Sequence, residues 1–243
     1  MVSVSNQGAN SAHTVLSVGG FGGGLGGISQ NEGRVWIKDS YARGNVSVDY
    51  TGGPTGTAAS PDTICAGGFL GNVDLYSTGY WIERCFSTGS VSAAASAASN
   101  TSLYAGGFAG YKGIGILRSC AALGGAVTVK GSAAITRELG RICGSSAPAN
   151  LSNNFASASM QLERDVYGAL NPAPVAPVPD IAGKDGQSAS TNDLRKIDFW
   201  LDTAGLAFNL DGSGTGFGSI VNIWDFSSLA GRGYPLLVGL PAQ

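Results

Sequence analysis

Charge is scarce in this chain, and that scarcity excludes several functions at once. Only 12% of its 243 residues are charged, and 14 Lys and Arg nearly balance 16 Asp and Glu. No basic stripe exists that could follow a phosphate backbone or hold a polybasic membrane patch, so nucleic acid is not an expected partner. Histidine occurs once, as His13 in a Ser/Ala/Asn-rich stretch, so a Ser-His or Cys-His dyad would rest on one poorly placed residue. No apolar run approaches the ~18 residues of a membrane-spanning helix, and no basic n-region precedes an apolar core. Neither membrane insertion nor a signal peptide is expected, and the chain reads as a mature or excised segment. The four cysteines form no Cys-x-x-Cys pair, which removes the usual zinc spacing.

Glycine, by contrast, is abundant: 39 of 243 residues, against a usual share of roughly 7%. It has no strict every-third-residue period, so collagen is excluded. Most of it falls inside four versions of one phrase: a Gly-Gly-Phe-x-Gly opening, an Ile/Leu-x-x-small-aromatic segment, then Gly-x-Val-x-Val. The copies read VGGFGGGLGGISQNEGRVWIKDSYARGNVSV from Val18, CAGGFLGNVDLYSTGYWIERCFSTGSVS from Cys65, AGGFAGYKGIGILRSCAALGGAVTVKG from Ala105 and a decayed LGRICGSSAPANLSNNFASASM from Leu139. Their aromatic slots are Tyr41, Phe86, Ala121 and Phe155, giving spacings of 86−41 = 45, 121−86 = 35 and 155−121 = 34 residues. A period of that size is the mark of a repeat architecture.

Alternation such as Val46-Ser47-Val48 and Val127-Thr128-Val129 has the period of two that a strand with one buried face requires. Superposition puts Phe21, Phe69, Phe108 and Ile142 in one column, Ile37, Ile82, Leu117 and Leu151 in a second, and Val46, Val91 and Val127 in a third. Three apolar columns predict three short strands per repeat. One repeat cannot bury such a face alone, but repeats stacked about 4.8 Å apart would bring each column together. The expected fold is all-β: a parallel β-solenoid (β-helix) of about four coils, with a C-terminal capping segment containing one short helix. A propeller or sandwich of hairpins would want Asn-Gly or Asp-Gly turns, which the repeats lack.

The Gly-Gly-Phe-x-Gly opening followed by Ile-x-x-Cys-Phe-Ser-Thr-Gly-Ser-Val resembles the GLUG-motif repeat family. The resemblance covers about residues 18 to 160, and the tail segments Asp193 to Leu201, Leu206 to Leu210, Trp224 to Phe226 and Gly233 to Leu237 resemble those that close such arrays. It implies a β-solenoid from a large secreted or cell-surface bacterial protein, of the kind seen in adhesin-like proteins and in non-catalytic regions of immunoglobulin A peptidases. This chain departs from the pattern in using Phe for the usual Leu, in losing the aromatic at Ala121, and in carrying Gly140-Arg141-Ile142 where the fourth Gly-Gly-Phe should stand. The last copy is expected to be partial.

The segments divide as follows: residues 1–17 an N-terminal partial coil or cap, 18–170 the repeats, 171–180 a Pro-rich connection (NPAPVAPVPD within it) that should run extended outside any ladder, and 181–243 the cap. Asn192 can cap a helix starting at Asp193 with Leu194, Ile197, Trp200 and Leu201 on one apolar face. Two long connections, Asp49 to Ile64 and Ala93 to Tyr104, follow the same strand and should project from one face. Tyr50, Pro54 and Tyr104 are candidate contact residues on that position alone.

Cys85 and Cys120 share a repeat slot with Ser40 and Asn154, so stacked repeats would bring them within disulfide reach. Two readings stay open, a pair of buried thiols and a disulfide. Glu83 and Arg84, aligned near Asp39 and Lys38, read as an exposed cross-repeat charge pair worth roughly 0.2–1 kcal/mol. Gly22 to Gly27 matches bare dinucleotide spacing without the βαβ context, Asn209 to Thr215 lacks the glutamate of a calcium loop, and Ser47, Ser92 and Thr128 form a short hydroxyl row. No catalytic residue, metal or cofactor is predicted. The expectation is a non-enzymatic module, extracellular or on the bacterial cell surface: a stalk or adhesin segment whose partners are host or bacterial surface glycans or proteins, or further copies of itself. The alternatives are a self-assembling surface filament subunit and a glycan-cleaving β-helix enzyme.

Overall fold

The structure, a computed structural model, describes residues 2–6, 15–25, 35–51, 62–73, 80–96, 100–113, 115–132, 135–146, 150–166, 173–202, 205–208 and 224–238. Among them the chain is mostly β, and its main sheets are parallel. Each repeat adds one strand to each of five ladders. The first ladder joins Val15–Gly19, Asp62–Gly67, Thr101–Gly106 and Thr136–Gly140. The second joins Gly22–Gly24, Leu70–Val73, Ala109–Lys112 and Cys143–Ser146. The third joins Val35–Lys38, Tyr80–Glu83, Ile116–Arg118 and Leu151–Ser152. The fourth joins Tyr41–Ala42, Phe86–Ser87, Ala121–Ala122, Phe155–Ser157 and Gln187–Ala189. The fifth joins Val2–Asn6, Val46–Tyr50, Val91–Ala95, Ala126–Gly131 and Gln161–Val166.

The columns read from the repeats are the observed registers. Ile37 pairs Ile82, which pairs Leu117, which pairs Leu151, and Val46, Val91 and Val127 pair in the same way. Phe21 stacks on Phe69 at 4.6 Å and Phe69 on Phe108 at 4.8 Å, the spacing of adjacent strands. Strand positions number five per repeat rather than three. The Gly-Gly-Phe turn has a strand on each side of it, and the aromatic slot forms a two-residue ladder of its own. The fourth repeat is not partial either, because it supplies a strand to every ladder.

Glycine is required where the first two ladders pack backbone against backbone. A Cβ on Gly110 would stand 2.5 Å from the Ala66 amide nitrogen and 2.5 Å from the Gly71 carbonyl oxygen of the preceding repeat. Another corner recurs after the third ladder, where Asp39, Arg84, Ser119 and Asn153 all adopt left-handed φ, between 49° and 54°. The residue that follows satisfies the bend. Ser40 Oγ donates to the Lys38 carbonyl at 2.8 Å, Cys85 Sγ to Glu83 at 3.2 Å and Cys120 Sγ to Arg118 at 3.2 Å. Asn154 Nδ2 donates to the Leu117 carbonyl at 2.9 Å, and its Oδ1 accepts from the Cys120 amide at 3.1 Å.

Gly140-Arg141-Ile142 turns from an apparent decay into an anchor. In the second and third repeats Gly68 and Gly107 occupy the Arg141 position, and a Cβ on Gly107 would meet the Arg141 carbonyl oxygen, the Met160 side chain at 3.0 Å and Ala122 at 3.1 Å. The last repeat has room for a side chain there. Buried Arg141 donates to the carbonyls of Asp185 and Gly186 at 3.0 and 2.8 Å and to Ser188 Oγ at 2.9 Å, fastening residues 185–188 over the end of the ladders. The backbone amides of Ile142 and Cys143 donate to the Lys184 carbonyl in the same closure.

The Pro-rich stretch does join a ladder. Ala173–Pro174 lies antiparallel to Glu163 and Arg164 at the edge of the fifth, where a proline that cannot donate is tolerated. The tail holds three short helices among the described residues, rather than one: α1 (Thr191–Leu194), α2 (Ile197–Leu201) and α3 (Leu229–Arg232). Ser190, not Asn192, caps α1, because Asp193 three residues on completes a capping box with it. Ile197 is exposed while Leu194 and Trp200 are buried. Leu206 and Phe208 are buried without forming a strand, and Trp224–Asp225 pairs antiparallel with Leu236–Leu237.

The tail lies on the outer face of the fourth ladder and makes a second core there. Phe86, Ala121 and Phe155 meet Leu194, Trp200, Phe208, Trp224 and Leu229. Trp200 sits edge-on to Phe86 at 5.7 Å, and neighbouring Phe199 edge-on to Phe155 at 5.0 Å. The missing aromatic at Ala121 thus leaves space between two ring-bearing strands for the aromatic side chains of α2.

Candidate functional site

Two residues beyond the aromatic slot stand Arg43, Thr88, Leu123 and Ser157, the first three just past the short strands of the fourth ladder and the last ending one. Over that row, α1 and α3 stand off the ladder and leave a cavity of about 350 Å³. Its polar lining is cationic and hydroxylic: Arg195, Arg232, Thr88, Ser157 and Thr191. Leu123, Leu194 and Tyr234 supply apolar wall, and no carboxylate is among the described lining residues. Among the described residues Arg232 Nη1 is buried with no hydrogen-bond partner, an expensive condition for a guanidinium nitrogen. Arg43 adds a third cation at the rim, 5.9 Å from the Tyr234 ring. Asp193 of α1 is held by Ser190 and Lys196, and those hydrogen bonds lower its pKa from the ordinary value.

A second charged assembly lies on the third ladder. Trp36 stacks on Trp81 at 4.7 Å; Lys38 Nζ lies 3.7 Å from the Trp36 ring centre and Arg118 Cζ 4.6 Å from that of Trp81. Glu83 joins the two cations. Its Oε1 meets Lys38 Nζ at 2.9 Å and its Oε2 accepts from Arg118 Nε at 2.7 Å. Arg84, which also reaches Glu83 at 3.2 Å, grips both oxygens of Asp39 at 2.7 and 2.9 Å. The expected exposed pair is therefore a buried network, with Glu83 1% and Arg84 7% exposed. Every ion here is spent on another, so this assembly is a clasp across three repeats.

Of the residues singled out beforehand, Tyr50 is not a loop contact. It ends a strand with its side chain fully buried, and its hydroxyl donates to Asp62 Oδ2 at 3.3 Å. Its place in the alternation, inward like Val46 and Val48, accounts for this. Tyr104 is half-buried within a strand and meets Tyr111 edge-on at 5.0 Å. Pro54, His13 and Asn209 to Thr215 lie outside the described residues. Gly22–Gly24 is a strand of the second ladder, and Ser47, Ser92 and Thr128 do share one row, which Glu163 continues with an Oε2 accepting from Thr128 Oγ1 at 3.4 Å. Among the described residues no group of three or more His, Cys, Asp or Glu gathers for a metal, and no helix is long and apolar enough to cross a membrane.

Cys65, Cys85, Cys120 and Cys143 are buried free thiols. Burial drives the Cys120 thiol well above its ordinary pKa and pushes Cys143 up to about 12. Native protein at pH 8 is therefore expected to resist alkylation, since the thiolate is the nucleophile. Unfolded without reductant, all four thiols should label, as mass spectrometry would read; labels confined to Cys65 and Cys143 would mean that Cys85 and Cys120 are bridged instead.

Comparison with protein-family models, with curated proteins and with solved structures returns no match for this chain. The cavity residues were not legible beforehand. Thr88, Ser157, Arg195 and Arg232 come from four distant segments, and only the outward row at the aromatic slot plus two pointed toward any of them.

Proposed function

We propose that the chain is a non-enzymatic extracellular or bacterial cell-surface module, a β-solenoid of the GLUG type that serves as a stalk or adhesin segment. The observation that carries this reading is the strand order: the chain passes through five parallel ladders in fixed sequence and returns to the first in the next repeat, in register each time. Such a scaffold propagates contacts only between neighbours and holds whatever it displays at fixed spacing. Its charged residues support the reading, because Glu83, Arg84 and Arg141 are used to bind repeat to repeat and repeat to cap.

A second reading, self-association, is favoured by the first repeat. Phe21 is 52% exposed where its equivalents Phe69 and Phe108 are fully buried, and Val15 and Trp36 of the same repeat are 54% and 39% exposed. Edge strands in that condition are templates for pairing. The opposite end is covered by residues 184–188, so a contact between open ends fits better than a head-to-tail filament. A glycan and cell-surface binding array on the monomeric protein tests the adhesin reading, with sedimentation of the same preparation reporting association. Retention of surface glycan or protein without chemical change is expected; new reducing ends or unsaturated products from a polysaccharide panel would overturn it in favour of an enzyme.

A further inference from the structure

We propose that the cavity between the fourth ladder and the tail binds a sugar acid through its carboxylate. The chemistry follows from the lining. Two guanidinium-bearing residues, Arg195 and Arg232, line a space with no carboxylate among its described lining residues, and Arg232 Nη1 has no hydrogen-bond partner among the described residues. A guanidinium in that state calls for an anionic acceptor, and a carboxylate suits its planar fork. Three hydroxyls, Thr88, Ser157 and Thr191, can donate or accept toward the hydroxyl groups of a pyranose. The apolar wall of Leu123, Leu194 and Tyr234 gives the C–H face of a ring something to lie on. At about 350 Å³ the space falls at the small end of ligand pockets and has room for one monosaccharide.

The site is built from both parts of the chain. Thr88, Leu123 and Ser157 come from three successive repeats, while Arg195 follows α1 and Arg232 ends α3. A ligand there bridges ladder and tail, so it stabilises the docked tail by mass action. This inference stands apart from the stalk or adhesin role, which can fail without touching it.

Calorimetric titration of the full chain tests it, with glucuronate as probe and glucose, inorganic sulfate and inorganic phosphate in parallel. Glucuronate is expected to bind saturably, and glucose at least ~10-fold more weakly, since loss of one charge-assisted pairing is worth about that factor. Arg195→Gln and Arg232→Gln should each weaken glucuronate by ~10-fold or more, and Leu123→Trp should abolish binding by filling the cavity. Arg195 is exposed, so its variant keeps the test valid should Arg232→Gln fail to fold. No saturable binding, binding unchanged in folded variants, or sulfate and phosphate bound as tightly as glucuronate would each overturn the proposal.

Discussion

Gly110→Ala is expected to cost at least ~3 kcal/mol, at the severe end of single substitutions, and to abolish cooperative folding if the parent is marginal. The new methyl carbon would lie 2.5 Å from two backbone atoms, Ala66 N and Gly71 O, neither of which can rotate away as a side chain can. Relief requires the first and second ladders to separate, and that opens the close packing repeated at Gly71 against Val18 and at Gly144 against Ala105. Gly231→Ala is the matched control. A Cβ there meets nothing within 4 Å, and the residue is in α3, so the change should be neutral or stabilise by up to ~1 kcal/mol. Urea unfolding followed by circular dichroism would compare the two; equal midpoints would mean that the glycines are conserved in the phrase for some reason other than close approach.

The ladders were legible because a stacked column asks for the same kind of side chain at the same repeat position. Ile37, Ile82, Leu117 and Leu151 hold one position of the repeated phrase and pair in that order. What could not be read was anything set by a partner far away in sequence. Ala121 reads as a lost aromatic in sequence but packs with Trp200 of α2 in one core, and Arg141 reads as decay but finds its acceptors in residues 185–188. Lys112 is a sharper case. It follows Val73 in an inward column and is itself 1% exposed, with burial holding its pKa down to about 8 and its amine donating to the Gly113 carbonyl at 3.0 Å. Sequence alternation marks the direction of such a side chain but cannot announce that a lysine will accept it.

Local chemistry misled in a different way where two answers were near in sequence. Ser190 and Asn192 are both good caps, and the choice depends on which has an acidic residue three positions later to bond back; Asp193 answers to Ser190. Pro174 was expected to stay out of any ladder because it lacks a donor, yet an edge position needs only its neighbours, and the Val175 amide donates to the Leu162 carbonyl at 2.8 Å. The cavity shares this dependence on distant contacts, since its two arginines are displayed by tail helices whose docking rests on Phe86 and Phe155.

Glu83→Gln is the other change with a large expected effect, roughly 3–5 kcal/mol at pH 7, because it leaves cations gathered around a buried site without their anion. Glu83 is the common partner of Lys38, Arg84 and Arg118, and only Arg84 has a second carboxylate, Asp39, in this network. Burial by itself would raise the Glu83 carboxyl, but hydrogen bonds from Lys38 and Arg118 and the charges of Arg118 and Arg84 outweigh it, leaving the pKa below 4.5. A depressed folded-state value means that the unfolded chain binds the proton first. Stability from this residue is therefore fully present above the unfolded value and is lost as pH falls through the folded one. The parent and the glutamine variant should differ widely in urea midpoint at pH 7, and the gap should narrow as pH falls from the ordinary glutamate value through the depressed folded-state one. Release of Lys38 and Arg118 should also loosen the Trp36–Trp81 stack and red-shift its fluorescence in the folded variant. A gap in midpoint that stays constant as the pH is lowered would show that the clasp acts through packing rather than charge.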